Sequence, residues 1–264
     1  MIHLGMPTLI ETDTLEQCAE LCQDLGLQFV ELNMNLPQYQ PNRMDISRLR
    51  EIAGLHEIYF TIHLDENLNV SDFNPYVAGA YRRTVQESIA VAKALGMPVL
   101  NMHMADGVYF TLPERKVYLF KEYRETYLKS METFRDECEA AIGDADIKLC
   151  IENSSGYRDF QREAITLLLE SPVFGLTLDI GHNHCAGGKD EAFVLTRAER
   201  LCHMHMHDAL GTKDHLALGV GELDLKRYVA LAREHACRIV LETKTIAGLR
   251  ESVGYFSRQL ACEL

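Results

Sequence analysis

The segment FGLTLDIGHNHCAG, residues 174–187, passes from an apolar stretch into one carboxylate, two imidazoles and a closing glycine. Its first part has the apolar residues of a buried strand, and its last part has the small and polar residues of a loop. Asp179 and His182 therefore stand where a strand gives way to its loop. Such a corner is either an ordinary turn or one edge of a metal site, and the rest of the chain decides between the two.

Seven further segments of the same kind are spread along the sequence: IHLGM, LQFVELNM, EIYFTIHL, MPVLNMHM, IKLCIEN, RLCHMHMHD and CRIVLET. Between them lie stretches in which apolar residues return at i, i+3, i+4 and i+7, the period of an amphipathic helix. Examples are DTLEQCAELCQDLG, with Asp13 as N-cap and Gly26 just past the end, and RRTVQESIAVAKALG, ending at Gly96. A last helix is expected from about Gly248 into FSRQLACEL. Eight strands alternating with eight helices, without a low-complexity linker, predict a single-domain (β/α)8 TIM barrel over residues 1–264. A doubly wound open sheet is the alternative, but strand count and chain length favour closure. The longest polar connections follow the third, fourth, sixth and seventh strands, as DENLNVSDFNPY, ADGVYFTLPERK, HNHCAGGKDE and DALGTKDHLALGVGELD. In a barrel these loops gather on the C-terminal face, where active sites are built.

Composition narrows the function. Apolar residues make up 47% and charged residues 25%, as in an ordinary soluble globular enzyme. The formal charge of −13 repels polyanions, and no dense Lys/Arg cluster offsets it, so nucleic acid is a disfavoured partner. The N-terminus has no basic region followed by an apolar core, and no apolar run is long enough to span a bilayer. The 8 cysteines form no C-x-x-C pair, which suits reduced, mostly buried thiols in a cytoplasmic protein.

Ionisable residues recur at the C-terminal ends of the strands: Glu31, His63, His103, Glu152, Asp179 with His182, His205 and Glu242, with His215 in the loop after strand seven. Strand alternation places Asn101 with His103 on one face, likewise His203, His205 and His207, and likewise Glu242 and Lys244. Singly, each has a bland explanation as a cap, a turn anchor or a hydrogen-bonded core residue. Collected at one end of a barrel they would be costly to bury unless a cation or mutual pairing compensates. A mixed set of Asp, Glu and His suits manganese, cobalt, zinc or magnesium.

The segments CIEN (Glu152), LDIGH (Asp179, His182), HMHMHDA (His205), DHLALGVGELD (His215) and VLET (Glu242) resemble, in order and spacing, the xylose isomerase-like TIM barrels. That superfamily holds sugar and sugar-phosphate isomerases and epimerases, and also zinc-dependent abasic-site endonucleases. The resemblance covers essentially the whole chain. It implies that Glu152, Asp179, His205 and Glu242 form the shared metal site, one ligand from each of strands five to eight. In the isomerase and epimerase branch it implies one divalent ion, with His182 contacting a substrate oxygen. In the endonuclease branch it implies two or three zinc ions, with His63 and His103 as further ligands and His182 and His215 as ligands of a third ion. There the sequence departs: Lys213 stands where that branch has Asp, with Asp214 beside His215, and the loops that penetrate DNA have no counterpart.

Two mechanisms can use these residues. In an isomerase or epimerase, a divalent cation (Mn2+, Zn2+, Co2+ or Mg2+) stabilises an enediolate while Glu152 and Glu242 remove and return a proton. Asp179 and His205 then hold the metal, and Lys244 contacts a substrate oxygen or simply pairs with a carboxylate. In a multinuclear zinc phosphodiesterase, a metal-bound hydroxide attacks phosphorus, and His63 and His103 bind the added ions. A non-catalytic metal- or ligand-binding barrel is the third class, set against by the intact glutamate pair. Acidic charge, the altered third-site motif and the missing DNA loops favour the isomerase or epimerase, acting on a small carbohydrate; the extra histidines favour the hydrolase. Exposed barrel helices would also support a homo-oligomer.

Overall fold

The computed structural model describes residues 2–260. Eight parallel strands run β1 (His3–Pro7), β2 (Phe29–Asn33), β3 (Tyr59–His63), β4 (Val99–His103), β5 (Lys148–Glu152), β6 (Phe174–Asp179), β7 (Leu201–Met206) and β8 (Arg238–Leu241). Each pairs with its sequence neighbours, and β1 pairs with β8, so the sheet closes. The fold is the expected (β/α)8 barrel, and every expected strand segment supplies one stave. Strands in such a barrel are buried on both faces. In β5, Leu149 and Ile151 are buried on one face and Cys150 and Glu152 on the other.

Helix boundaries follow from local capping chemistry. The helix Leu15–Asp24 is capped by Thr14, whose side chain accepts from the Gln17 N–H, while the Asp13 N–H donates to Gln17 Oε1. The cap is thus one residue later than the expected Asp13, because the extended Thr14 hydroxyl reaches the open N–H of the first turn. Gly26 follows the helix at a φ of 68°, as its position requires. The longest helix, Pro75–Leu95, starts at the Asn74 cap with Pro75 in its first turn and stops at Gly96, φ 66°. The final helix spans Ile246–Tyr255 and continues as a π-turn over Phe256–Leu260; the rest of the expected segment, 261–264, lies outside the described residues. No helix among the described residues is long and apolar enough to cross a membrane.

Three of the long C-terminal connections hold order that strand and helix periodicity do not reveal. The loop after β4 folds into a hairpin, Tyr109–Thr111 with Lys116–Tyr118. After β6 the chain turns at once into a short helix, Ile180–Cys185, capped by the Asp179 side chain. The loop after β7 forms a second hairpin, Asp208–Leu210 with Lys213–Leu216. Asp208 ties that loop together by accepting from the N–H groups of Ala209, Gly219 and Leu223. Its effect is to fix where Asp214 and His215 stand.

Candidate metal centre

Register sets the height of each strand-end residue. Asn33 pairs with His63, His63 with Asn101, His103 with Glu152, and Asp179 with His205. The four residues matched to the shared metal site therefore converge at one level. One donor atom from each of Glu152, Asp179, His205 and Glu242 lies within 4.8 Å of the other three. His205 Nδ1 is 3.2 Å from Glu152 Oε1, 3.2 Å from Glu242 Oε2 and 4.0 Å from Asp179 Oδ2.

These atoms meet without satisfying one another. Glu152 Oε1, Glu242 Oε2 and His205 Nδ1 are all buried and have no hydrogen-bond partner. Buried polar atoms in proteins are nearly always paired, and three carboxylates with one imidazole carry a surplus of negative charge. A divalent cation fits that donor set: hard oxygens and one borderline nitrogen accommodate Mn2+, Co2+, Zn2+ or Mg2+. Behind the cluster, His205 Nε2 lies 2.8 Å from Glu31 Oε1, and Glu31 Oε2 takes the Thr61 hydroxyl at 3.1 Å and faces His203 Nε2 at 3.0 Å. This is a carboxylate–histidine arrangement that aims Nδ1 at the site.

The remaining histidines fall into two groups around it. His63 Nε2 and His103 Nε2 each lie 3.2 Å from Glu152 Oε2, which also accepts from the Asn101 amide. The His63 Nδ1–H donates to the Leu64 carbonyl at 2.8 Å, so its Nε2 is turned toward Glu152. His182, His207 and His215 form the second group, their ring nitrogens within 4.8 Å of one another. His182 Nδ1 is 3.3 Å from Asp179 Oδ2, and Asp214 reaches both His215 Nδ1 (3.0 Å) and His182 Nε2 (3.9 Å). Lys213, by contrast, is exposed. Lys244 Nζ sits 3.2 Å from Glu242 Oε1, the simple ion pair.

Charge couples all three groups. Burial alone would raise Glu152 and Glu242, but the facing His205 imidazole and its neighbours hold both well below the usual carboxylate range. Burial would lower His63 and His182, yet Glu152 beside the first and Asp179 beside the second push each up to about 9. His205 stands well above its ordinary value against the same opposing burial, because Glu152, Glu31 and Glu242 surround it. Protons on these imidazoles and a bound metal cation would thus compete for one charge-balancing role.

Glu31 at a strand end, and Asn101 and His207 on shared strand faces, carry no assigned task in the sequence, yet the structure brings all three to the site. His207 is fully buried; its Nε2 is 3.1 Å from Asp179 Oδ2 and its Nδ1 accepts the His215 N–H at 2.8 Å. The His207 and His215 rings stack, 4.2 Å between centroids. His215 adopts a φ of 53°, a left-handed conformation uncommon outside glycine and concentrated at functional sites. Gly181 makes room for this stack, since a Cβ there would lie 2.1 Å from the His207 ring. The alternating HMHMH run was the available signal, because period two turns all three imidazoles into the barrel. His184, left without a task by the sequence, pairs with Glu222 at 2.9 Å.

Fold and site together define a parallel (β/α)8 barrel whose C-terminal mouth carries a carboxylate–imidazole cluster. The model of the xylose isomerase-like TIM barrel family matches residues 19–259, and the chain belongs to that family. Among solved structures it resembles a D-tagatose 3-epimerase-like protein, with a TM-score of 0.80 and 22% identity over 99% of this chain and 98% of that one. It also resembles D-allulose 3-epimerase from Methylomonas sp. in complex with D-allulose, with a TM-score of 0.71 and 15% identity over 98% of this chain and 97% of that one. The IolI protein with a bound zinc atom aligns with a TM-score of 0.74 and 15% identity over 99% of both chains. At these identities the likeness is one of fold.

Proposed function

We propose that this chain is a divalent-metal-dependent isomerase or epimerase of a sugar or sugar phosphate. The observation that carries the reading is the convergence of Glu152, Asp179, His205 and Glu242, whose buried donor atoms within 4.8 Å of one another include three without hydrogen-bond partners. The four side chains would hold the ion. When bound, the cation would neutralise negative charge gathering on adjacent substrate oxygens as the neighbouring carbon loses its proton. Glu152 and Glu242 are ionised at neutral pH, so each is competent to accept that proton, and the other returns it. Glu31, beside His205 Nε2, would keep that ring oriented, and His182, partly exposed beside Asp179, would donate to a substrate oxygen. Resemblance to sugar 3-epimerases supports a small keto-sugar as substrate class.

Heavy-water wash-in tests this directly. Protein loaded with Mn2+, Co2+ or Zn2+ and incubated with a keto-sugar panel should place deuterium at the carbon beside the carbonyl, and Glu242→Gln should abolish it. No exchange from any loaded form, with an intact metal complement, would count against the assignment.

A second reading rests on one specific observation. His63 and His103 face Glu152 Oε2 while the four-donor cluster faces Oε1, so His63 and His103 with Glu152 would hold a further ion, as a multinuclear zinc phosphodiesterase needs. Two or three zinc ions per chain, together with cleavage of an abasic-site oligonucleotide and no sugar exchange, would establish that reading over the first.

A further inference from the structure

Below the carboxylate layer two thiols meet across a strand. Cys150 lies two residues before Glu152 on β5, and Cys202 lies three residues before His205 on β7, with β6 between them. Their sulfurs are 3.1 Å apart, about 1 Å beyond the ~2.05 Å of a disulfide bond. The approach depends on Gly175 of β6: a Cβ there would lie 2.8 Å from Cys202 Sγ and 3.2 Å from Cys150 Sγ. It depends also on an irregularity in the β6–β7 ladder, where Leu201 pairs with Leu176 and His203 with Thr177, leaving Cys202 without a partner on β6. Cys150 is buried, whereas Cys202 is partly exposed.

Contact with Cys150 and the nearby Arg238 and Lys148 charges hold the Cys202 thiol below its ordinary value against burial. A partly exposed thiol touching a buried one is the arrangement of an attacking and a resolving cysteine.

We propose that Cys150 and Cys202 form a thiol modification site, oxidised by a hydroperoxide to a disulfide that ties β5 to β7 across Gly175. Hydrogen peroxide supplies the oxidising equivalents. The Cys202 thiolate attacks one peroxide oxygen; the S–O bond forms, the O–O bond breaks, and hydroxide leaves to become water. The Cys150 thiol then gives up its proton as its sulfur attacks Cys202 Sγ; the S–O bond breaks and a second water departs. Two thiols lose two electrons, and one peroxide becomes two waters. The link joins the strands that carry Glu152 and His205.

The test uses the whole protein with stoichiometric hydrogen peroxide. Two thiols per chain should disappear and return with dithiothreitol, and a non-reduced tryptic digest should join peptide 149–158 to peptide 201–213. Cys202→Ser, which retains only Cys150 of the pair, should lose none of its remaining thiols. In Cys150→Ala, oxidation should stop at a Cys202 sulfenic acid that dimedone traps, which keeps the proposal testable where the serine variant folds poorly. Undiminished thiol loss in Cys202→Ser, no thiol loss in the native chain, or overoxidised Cys202 beside a free Cys150 would each overturn it.

Discussion

The two oxygens of Glu152 lie in different surroundings. Oε2 is well supplied: the Asn101 amide donates to it, and His63 and His103 stand 3.2 Å away on β3 and β4. Oε1 faces His205 Nδ1 among two further carboxylates and has no hydrogen-bond partner. The Oε2 side can balance itself with a proton on His63. The Oε1 side gathers Glu152, Asp179 and Glu242 and leaves Glu152 Oε1, Glu242 Oε2 and His205 Nδ1 without hydrogen-bond partners, so it is the side suited to a metal cation. The contrast separates a mononuclear centre from a multinuclear one, and it can be broken experimentally from either side.

The largest effect should come from the Oε1 side. Glu242→Gln or His205→Ala should lose most of the bound divalent metal, read by elemental analysis after dialysis; stoichiometric metal in both variants would remove the assigned site. Next comes the support behind it. Glu31→Gln weakens the group that aims His205 and should lower metal affinity about 10–100-fold, measured by competition with a fluorescent chelator. Unaltered affinity would mean that His205 is positioned by packing alone.

Acidity gives a third effect of intermediate size. With metal removed, His63 and His182 keep values near 9 against an ordinary 6.5. A raised folded-state value contributes stability that is fully present below about 6.5 and is lost as pH climbs through about 9. Glu152 and Glu242 are depressed below their ordinary 4.5, so their contribution is present above that pH and fades in stronger acid. Metal-free protein should thus melt highest between about pH 4.5 and 6.5, falling a few degrees toward pH 9, each kcal/mol shifting Tm by roughly 2–4 °C. Added metal should flatten that decline and release protons on binding. A metal-free melting curve that rises from pH 6.5 to 9 would contradict the charge balance described here.

The smallest effect should come from the Oε2 side. His103→Gln leaves a hydrogen-bond donor near Glu152 and should leave the metal content unchanged in a mononuclear enzyme. Loss of one equivalent from a two-ion complement would instead identify His103 as a ligand and move the reading toward the phosphodiesterase.

Much of the architecture was legible from the chain. Eight apolar segments with helical periods between them specify a barrel, and ionisable residues at the strand ends mark its functional face. Other features lay beyond local pattern. The hairpin Tyr109–Thr111/Lys116–Tyr118 is built from three-residue strands whose Tyr109, Phe110 and Val117 show no buried alternation to read. His207 reads as the end of a strand, yet it closes on Asp179 and accepts from the His215 backbone, a contact made by a loop doubling back on itself. Asp214 occupies the wrong place in the motif but reaches His182 and His215 because Asp208 folds that loop toward them.

By itself the sequence determined the closed (β/α)8 barrel and the inward-facing, strand-end positions of Glu152, Asp179, His205 and Glu242, because hydrophobic period and strand alternation are local properties. Only the tertiary structure decided which of those atoms meet. Glu31 stands behind His205, Glu152 divides between two sets of partners, and Cys150 touches Cys202 over Gly175. Alternation says that a side chain points into the barrel; register and closure of the sheet set its height and angle there, and those depend on the whole ring of strands.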